Sequence, residues 1–360
     1  MRPTHAHVNL DAIADNYRLA CQRAPASRTI AVVKANAYGH GMLEVAHKLE
    51  PLAPALAVAM IDEAMRLREA GIRKPILIMQ GVNSIEDIRQ AAASDLWIML
   101  HQPGQVEAVL NARLPGPLNC WVKLDTGMHR LGLAPASFAD LYTRLVASDN
   151  VGPEPVVCTH LACADELAEP MTQQQMDLIR GTASGQNITL SIANSAGILF
   201  WPESHAGWNR PGIMLYGSCP TGSHDSRAVG LRPAMTMCSE IIAVRQLATG
   251  EGVGYGLDWV AERPSIIGTI AIGYGDGYPR HAPSGTPVLV NGQRVPLTGR
   301  VSMDAISVDL TDLENVKPGD PVELWGENLS VNEVAARAGT ISYDLLAGLS
   351  GRVPIQYSGG

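Results

Sequence analysis

Over its first 230 residues the chain alternates short apolar runs with amphipathic stretches, and this alternation constrains the fold more than any other feature. The runs are TIAVV (29–33), PALAVA (54–59), PILIM (75–79), LWIML (96–100), NCWVKL (119–124), PVVCTHL (155–161) and ITLSI (188–192). Between them lie segments such as IDEAMRLREAG, SIEDIRQAAA and MTQQQMDLIRG, the last two opening after turn-like or capping residues. Short strands regularly separated by helices mean βα units and a parallel sheet. A strand covered on both faces reads as a continuous apolar run, as these do. Seven strands are evident, and closing a (β/α)8 barrel needs an eighth. AGWNR (206–210) and GIMLY (212–216) compete for the place. GIMLY has the better strand propensity. AGWNR is preferred here because barrel chemistry sits at strand C-terminal ends, and it brings Arg210 and Gly212 to that face.

Beyond residue 230 the pattern changes. MTMCSEIIAVRQL, SIIGTIAIG, TPVLVNGQRVPLTG, DAISVDL and DPVELWG are strand-like, and Asn291-Gly292 is a strong hairpin turn. Long helices are nearly absent until NEVAARAGT. The expected class is therefore α/β: a (β/α)8 barrel over 1–230, then a mostly β domain over 231–360. The opening HAHVNL is strand-like too, so the first eight or so residues are expected to pair with the β domain.

Charge and cysteine usage narrow the function. Lys and Arg total 27 against 35 Asp and Glu, a net charge of −8. A nucleic-acid partner calls for a basic surplus, which is missing. No apolar run reaches the roughly 18 residues of a membrane helix, and MRPTHAHVNLDAI is not a secretory leader. A cytoplasmic location with no membrane partner is expected. Six scattered cysteines do not make a disulfide scaffold. Cys158, His160 and Cys163 lie close together, but no CxxC pair or second cluster supports zinc, and no metal is expected.

Only five lysines occur: Lys34, Lys48, Lys74, Lys123 and Lys317. Lys34 follows the first barrel run directly, in AVVKANAYGHG, and so lands at the C-terminal mouth. Partial desolvation there disfavours the charged amine, the condition for attack on an aldehyde to form a Schiff base. The plainer alternative is a lysine paired with a carboxylate. A pyridoxal phosphate would also need a phosphate cup, and barrels offer one after strands 7 and 8. Asn194-Ser195 follow strand 7 and Gly212-Ile213 follow Arg210, each where backbone N–H groups can bind phosphate.

With these residues in view, the chain resembles the alanine racemases. The motifs are AVVKANAYGHG, KLDTGMHRLG, THLACADE, NSAG, NRPGIMLYG, GVGYGLDW, IGYGDGYPR, GRVSMDAISVDL and TISYDLLAGLSGRVP, in order from about residue 4 to 355. The resemblance implies a barrel followed by a β domain. It implies a homodimer whose partner completes each site, with pyridoxal 5′-phosphate as cofactor and alanine as substrate. It makes Lys34 the cofactor lysine and one proton-transfer base, and Tyr255 the other base. It sets Arg210 at the ring nitrogen, and Tyr38, Asn194, Ser195, Gly212, Ile213 and Tyr343 at the phosphate. His160 matches a cofactor-site histidine linked to the catalytic tyrosine. Arg130, Met303 and Asp304 match the substrate-binding positions. Lys123 matches a lysine carbamylated in many members. Asp165, Tyr274, Arg280 and Arg300 line the access path.

The chemistry fits the implied roles. Racemisation removes a proton from one face of Cα and returns it on the other, so two bases must flank one plane. General bases work best with pKa values near the operating pH, so a tyrosine base needs nearby positive charge, for which His160 directed at an arginine is a source. Arginine is a permanent cation and only a donor. At the ring nitrogen it keeps that atom unprotonated and limits side reactions. The rivals are a broad-specificity amino-acid racemase, a non-catalytic pyridoxal-phosphate-binding protein on the same barrel, and a basic amino-acid decarboxylase. The second lacks the β domain, and the third puts an acid where Arg210 stands.

Overall fold

The first barrel strand is split. In the computed structural model, which describes residues 3–222 and 226–359, it runs as Arg28–Thr29 and Ala31–Val32. Arg28–Thr29 pairs in parallel with Trp208–Asn209, while Ala31–Val32 pairs in parallel with Leu56–Val58. From there the ladder passes through Ile76–Ile78, Leu96–Leu100, Cys120–Lys123, Val156–Cys158 and Leu190–Ser191 to Trp208–Asn209. The one divided strand closes the ring, so eight strands make the barrel. The eighth lies in AGWNR, as expected. GIMLY instead forms a 3₁₀ turn, Ile213–Tyr216.

The barrel unit comprises Asn16–Ala37 and Met42–Leu215. Of the two helices expected to open after turn or capping residues, Ile85–Ala93 has a side-chain cap, while Met171–Ala183 begins after Pro170 without one. Ile85–Ala93 starts at Ser84, whose hydroxyl accepts the N–H of Asp87 while Asp87 returns the bond to Ser84. Three tryptophans near the starts of their strands pack together. Trp97 meets Trp208 edge-on at 5.7 Å between centroids, and Trp121 lies 5.8 Å from Trp208. Trp121 and Trp208 are buried. Aromatic packing thus occupies the N-terminal end of these strands.

In the other unit, Met235–Leu247 is the long organising strand. Its N-terminal half pairs with Pro321–Trp325 and its C-terminal half with Ser265–Ile270. Ser265–Ile270 continues through Ile306–Asp309, Gln293–Thr298 and Pro287–Val290 back to Pro321–Trp325, closing a six-strand antiparallel ring. Asn291 and Gly292 both have positive φ in the hairpin between Pro287–Val290 and Gln293–Thr298, the conformation a two-residue turn requires. The opening strand His5–Asn9 pairs with Met235–Cys238 and with Ile355–Ser358, so it joins the β unit as expected. Tyr38–Gly41 also belongs to this unit. Gly39 has φ +82, and a Cβ there would sit 2.0 Å from the Leu346 carbonyl oxygen, so only glycine fits. Among the described residues no helix is long and apolar enough to cross a membrane.

Candidate active site

Lys34 stands directly after the first strand, and the backbone then turns left-handed. Ala35, Asn36, Ala37 and Tyr38 all have φ of 52–53°. Such a conformation costs an L-residue about 1–2 kcal/mol, so four in succession need fastening. Two side chains supply it. The Asn36 side chain accepts the Met42 N–H at 2.9 Å, and Glu63 accepts the Ala35 N–H at 2.7 Å. Burial lowers the Lys34 pKa, the nearby Arg130 lowers it further, and Glu63 opposes both.

A cavity of about 370 Å³ opens at the C-terminal ends of the strands. Lys34, Lys123, Arg130, His160 and Arg210 line it with Cys158, Thr159 and several apolar side chains, and the lining contains no carboxylate. Arg210 is buried and makes its bonds to neutral oxygens. Its Nη1 donates to the Ser191 carbonyl at 2.9 Å and to the Ser191 hydroxyl at 2.5 Å, and its Nη2 donates to the Thr159 carbonyl at 2.5 Å. The guanidinium is thereby fixed while its charge stays uncompensated. Burial pulls Lys123 down to about 8, with Arg210 and Arg130 adding to the fall against Cys158 and Asp125. His160 is held well below its usual pKa by burial, then by Arg210, Lys123, Arg130 and Lys34. It is therefore neutral, and the positive charge of this cavity resides on the arginines and lysines. No hydrogen bond joins the His160 ring to an arginine among the described residues. A cavity with this field selects an anion.

The two dipeptides after strands 7 and 8 come together. Asn194 caps the short helix Ser195–Phe200, its side chain accepting the Gly197 N–H at 2.9 Å. The Ser195 hydroxyl accepts the N–H groups of Gly212 at 2.9 Å and Met214 at 3.3 Å. Ile213 is buried between them in sequence. A hydroxyl and converging backbone donors at this corner form a set suited to phosphate. Asp165 belongs to the same unit and is exposed.

The remaining candidates lie in the β unit. Tyr38 and Tyr343 approach with ring centroids 6.0 Å apart. Tyr255 is 68% exposed in a short turn between Gly254 (φ 71) and Gly256 (φ 75). Arg300 pairs with Asp258 and steadies that turn, and a Cβ on Gly256 would lie 3.1 Å from its guanidinium carbon. Tyr274 and Met303, 40% and 52% exposed, come from a 3₁₀ turn (Tyr274–Asp276) and a bend before Ile306–Asp309, tied by backbone bonds: Tyr274 N–H to Ser302 O at 3.0 Å and Gly275 N–H to Met303 O at 2.9 Å. Asp304 accepts from Arg352 Nη2 at 2.5 Å, and Arg352 Nε lies 3.5 Å from the buried Asp276. Arg280 is exposed.

Sequence reasoning passed over Asp258, which pairs with Arg300, Arg352, which pairs with Asp304, Asp276 beside Arg352, and Glu63, which binds the backbone next to Lys34. Asp258, Asp276 and Arg352 stand inside the quoted motifs GVGYGLDW, IGYGDGYPR and SGRVP. Glu63 stands third in its helix, where an acid is unremarkable.

A (β/α)8 barrel whose mouth gathers lysines, arginines and no carboxylate is the architecture of an enzyme with a site for an anion. Comparison with known proteins makes the assignment particular. The family described as "Alanine racemase, N-terminal domain" matches residues 8–220, and "Alanine racemase, C-terminal domain" matches 234–357. An alanine racemase of Chromohalobacter salexigens is 50% identical over 356 residues, 99% of this chain and 98% of that one. The crystal structure of the biosynthetic alanine racemase of Pseudomonas aeruginosa superposes with a TM-score of 0.97 at 47% identity, covering 99% and 100%. That of Bartonella henselae alanine racemase, with covalently bound pyridoxal phosphate, gives 0.90 at 28% identity, covering 99% and 100%. The chain belongs to the alanine racemase family. It carries that family's function, as an amino-acid racemase.

Proposed function

We propose that the chain interconverts L- and D-alanine with pyridoxal 5′-phosphate, as a cytoplasmic homodimer whose partner subunits complete each other's sites. The observation that carries this reading is the carboxylate-free mouth in which Lys34 and Arg210 share one cavity. The residues present fit the cofactor: an amine with lowered pKa for its aldehyde, a fixed guanidinium for its ring nitrogen, and the Ser195–Gly212 corner for its phosphate. When bound, pyridoxal phosphate supplies an aldehyde that links to amines and a conjugated ring that takes up electron density released at Cα.

The protein's own groups do the rest. Lys34 holds the cofactor and moves the proton on one face of Cα, and the Tyr255 phenol moves it on the other. Arg210 donates hydrogen bonds and cannot give up its proton, so the ring nitrogen remains unprotonated. Asn194, Ser195, Gly212, Ile213, Tyr38 and Tyr343 bind the phosphate. His160 lies beside the cofactor as a neutral ring. Arg130, Met303 and Asp304 orient the substrate carboxylate. Asp165, Tyr274, Arg280 and Arg300 line the way in. Lys123, with its pKa near 8, has enough free amine to add to carbon dioxide. The N–C bond forms, a proton leaves, and the resulting carbamate anion faces the arginines.

Borohydride reduction of the holoenzyme followed by peptide mapping tests the central assignment. The cofactor is expected on the peptide containing Lys34. Its recovery on Lys123 or any other lysine overturns the assignment.

A further inference from the structure

Glu63 reaches out of its own helix. Within Ile61–Glu69 it occupies the third position, and its Oε2 accepts the N–H groups of Ala59 at 2.8 Å and Met60 at 3.2 Å. That is ordinary helix capping and uses one oxygen. The other oxygen, Oε1, accepts the N–H of Ala35, 28 residues earlier in the chain. Ala35 is the first residue of the left-handed turn and the immediate neighbour of Lys34. One carboxylate therefore bridges the ends of two adjacent barrel strands, Ala31–Val32 and Leu56–Val58. The turn it secures has three further non-glycine residues at positive φ, of which only Asn36 is of a type that enters this region readily.

We propose that Glu63 is a positioning residue for Lys34: its carboxylate fastens the strained turn after Lys34 to the end of the neighbouring strand and so fixes where the amine points. The proposal rests on Lys34 being the cofactor lysine. Helix capping alone does not account for the bond to Ala35. The carboxylate also has an electrostatic effect. The charged groups around Lys34 are Arg130 from the loop after the fifth strand, Lys123 and Arg210 lining the same cavity, and Glu63, with the neutral His160 ring beside them. Among these Glu63 is the acid, and its charge works against the lowering of the Lys34 pKa.

Two variants separate the effects. Glu63→Gln keeps one acceptor oxygen and loses the charge. Glu63→Ala loses both bridges. In the holoenzyme, amide exchange of the peptide spanning residues 34–37 should accelerate in both variants, more in Glu63→Ala. The pH titration of the visible absorbance band should move to lower pH in Glu63→Gln, because removing an anion favours the uncharged amine. Racemase kcat/KM should fall roughly tenfold in Glu63→Gln and roughly 10²-fold in Glu63→Ala, the scale of a small misplacement of a reacting group. Glu69→Gln, at the exposed far end of the same helix, should change none of these. Circular dichroism verifies folding. Unchanged exchange over 34–37 and an unmoved titration in a folded Glu63→Gln overturn the proposal. Borohydride labelling in wild type keeps the outcomes distinct. A label away from Lys34 defeats the cofactor assignment, whereas a label on Lys34 with inert Glu63 variants defeats only the role of Glu63.

Discussion

The Ser195 hydroxyl accepts the backbone N–H of Gly212 at 2.9 Å, joining the loop after the seventh barrel strand to the loop after the eighth. Arg210, two residues before Gly212, is locked in turn to Ser191 and Thr159. The phosphate corner and the guanidinium thus share one rigid frame made of adjacent strand ends. A cofactor held at both places would have its ring direction fixed before any substrate arrives.

Replacing Ser195 by Ala should weaken pyridoxal phosphate binding while leaving the barrel folded. A hydrogen bond to a charged group contributes about 1.5–3 kcal/mol, so the dissociation constant should rise roughly ten- to hundredfold. Fluorescence quenching on titrating cofactor into stripped protein measures it. Unaltered affinity would remove Ser195 from the phosphate's partners.

Lys123 gives the stability a pH dependence of known sign. Its folded pKa is about 8 against an ordinary 10.5. Between those values the unfolded chain binds the extra proton, so stability rises with pH across the window. The buried cation costs the fold about 3 kcal/mol below pH 8, and the cost vanishes above pH 10.5. Lys123→Met should therefore be more stable than wild type at pH 7, with the advantage shrinking as pH approaches 10. Urea unfolding of cofactor-free protein in carbonate-free buffer reads the difference directly. A gap that is the same at pH 7 and pH 10 would rule out the titration of Lys123 as its source.

Much of this architecture was legible because burial on both faces writes parallel strands as apolar runs. Strand ends then locate Lys34, Ser195 and Arg210 without reference to any relative. GIMLY shows where that signal fails: it is apolar and wholly buried, yet turns as 3₁₀ once the barrel has closed at Trp208–Asn209. The left-handed turn was illegible, because Ala35, Ala37 and Tyr38 have no preference for positive φ and only Asn36 and Gly39 hint at it. The fasteners were hidden for a related reason. Glu63 and Arg352 act across 28 and 48 residues, and no local pattern marks such a bond. The roles of Tyr255, Met303 and Tyr274 came from the resemblance, since an exposed aromatic or methionine in a glycine-rich turn has no chemistry of its own to announce.

If each site draws Lys34 from one subunit and Tyr255 from the other, two inactive variants should complement. Lys34→Ala and Tyr255→Phe homodimers are mixed under conditions shown by mass spectrometry to exchange subunits. A two-fold dimer then contains one site with both residues intact and one with neither. Recovered activity should approach a quarter of wild type at full exchange of equal amounts, because half the dimers are mixed and each has one good site. Exchange without recovery would place both bases within a single chain.

The two bases should also differ by face. Tyr255 is exposed in the β unit, whereas Lys34 is half-buried in the barrel mouth, and the proposed reaction needs one on each side of Cα. In Tyr255→Phe the phenolic proton carrier is lost and Lys34 is untouched. The resemblance to the alanine racemases implies that Tyr255 serves the L-enantiomer and Lys34 the D-enantiomer, so removal of the Cα proton from L-alanine should fall by at least the ~10²–10⁴-fold that a general base supplies. Exchange of the D-alanine Cα proton into deuterated water should be much less affected, since Lys34 still faces it. Proton NMR of each enantiomer incubated separately with the variant gives both rates. The ratio of the two losses carries the argument, because a distorted or cofactor-poor protein loses both rates together. Equal losses for the two enantiomers would make Tyr255 a residue that shapes the site and leave the proton on that face to another group.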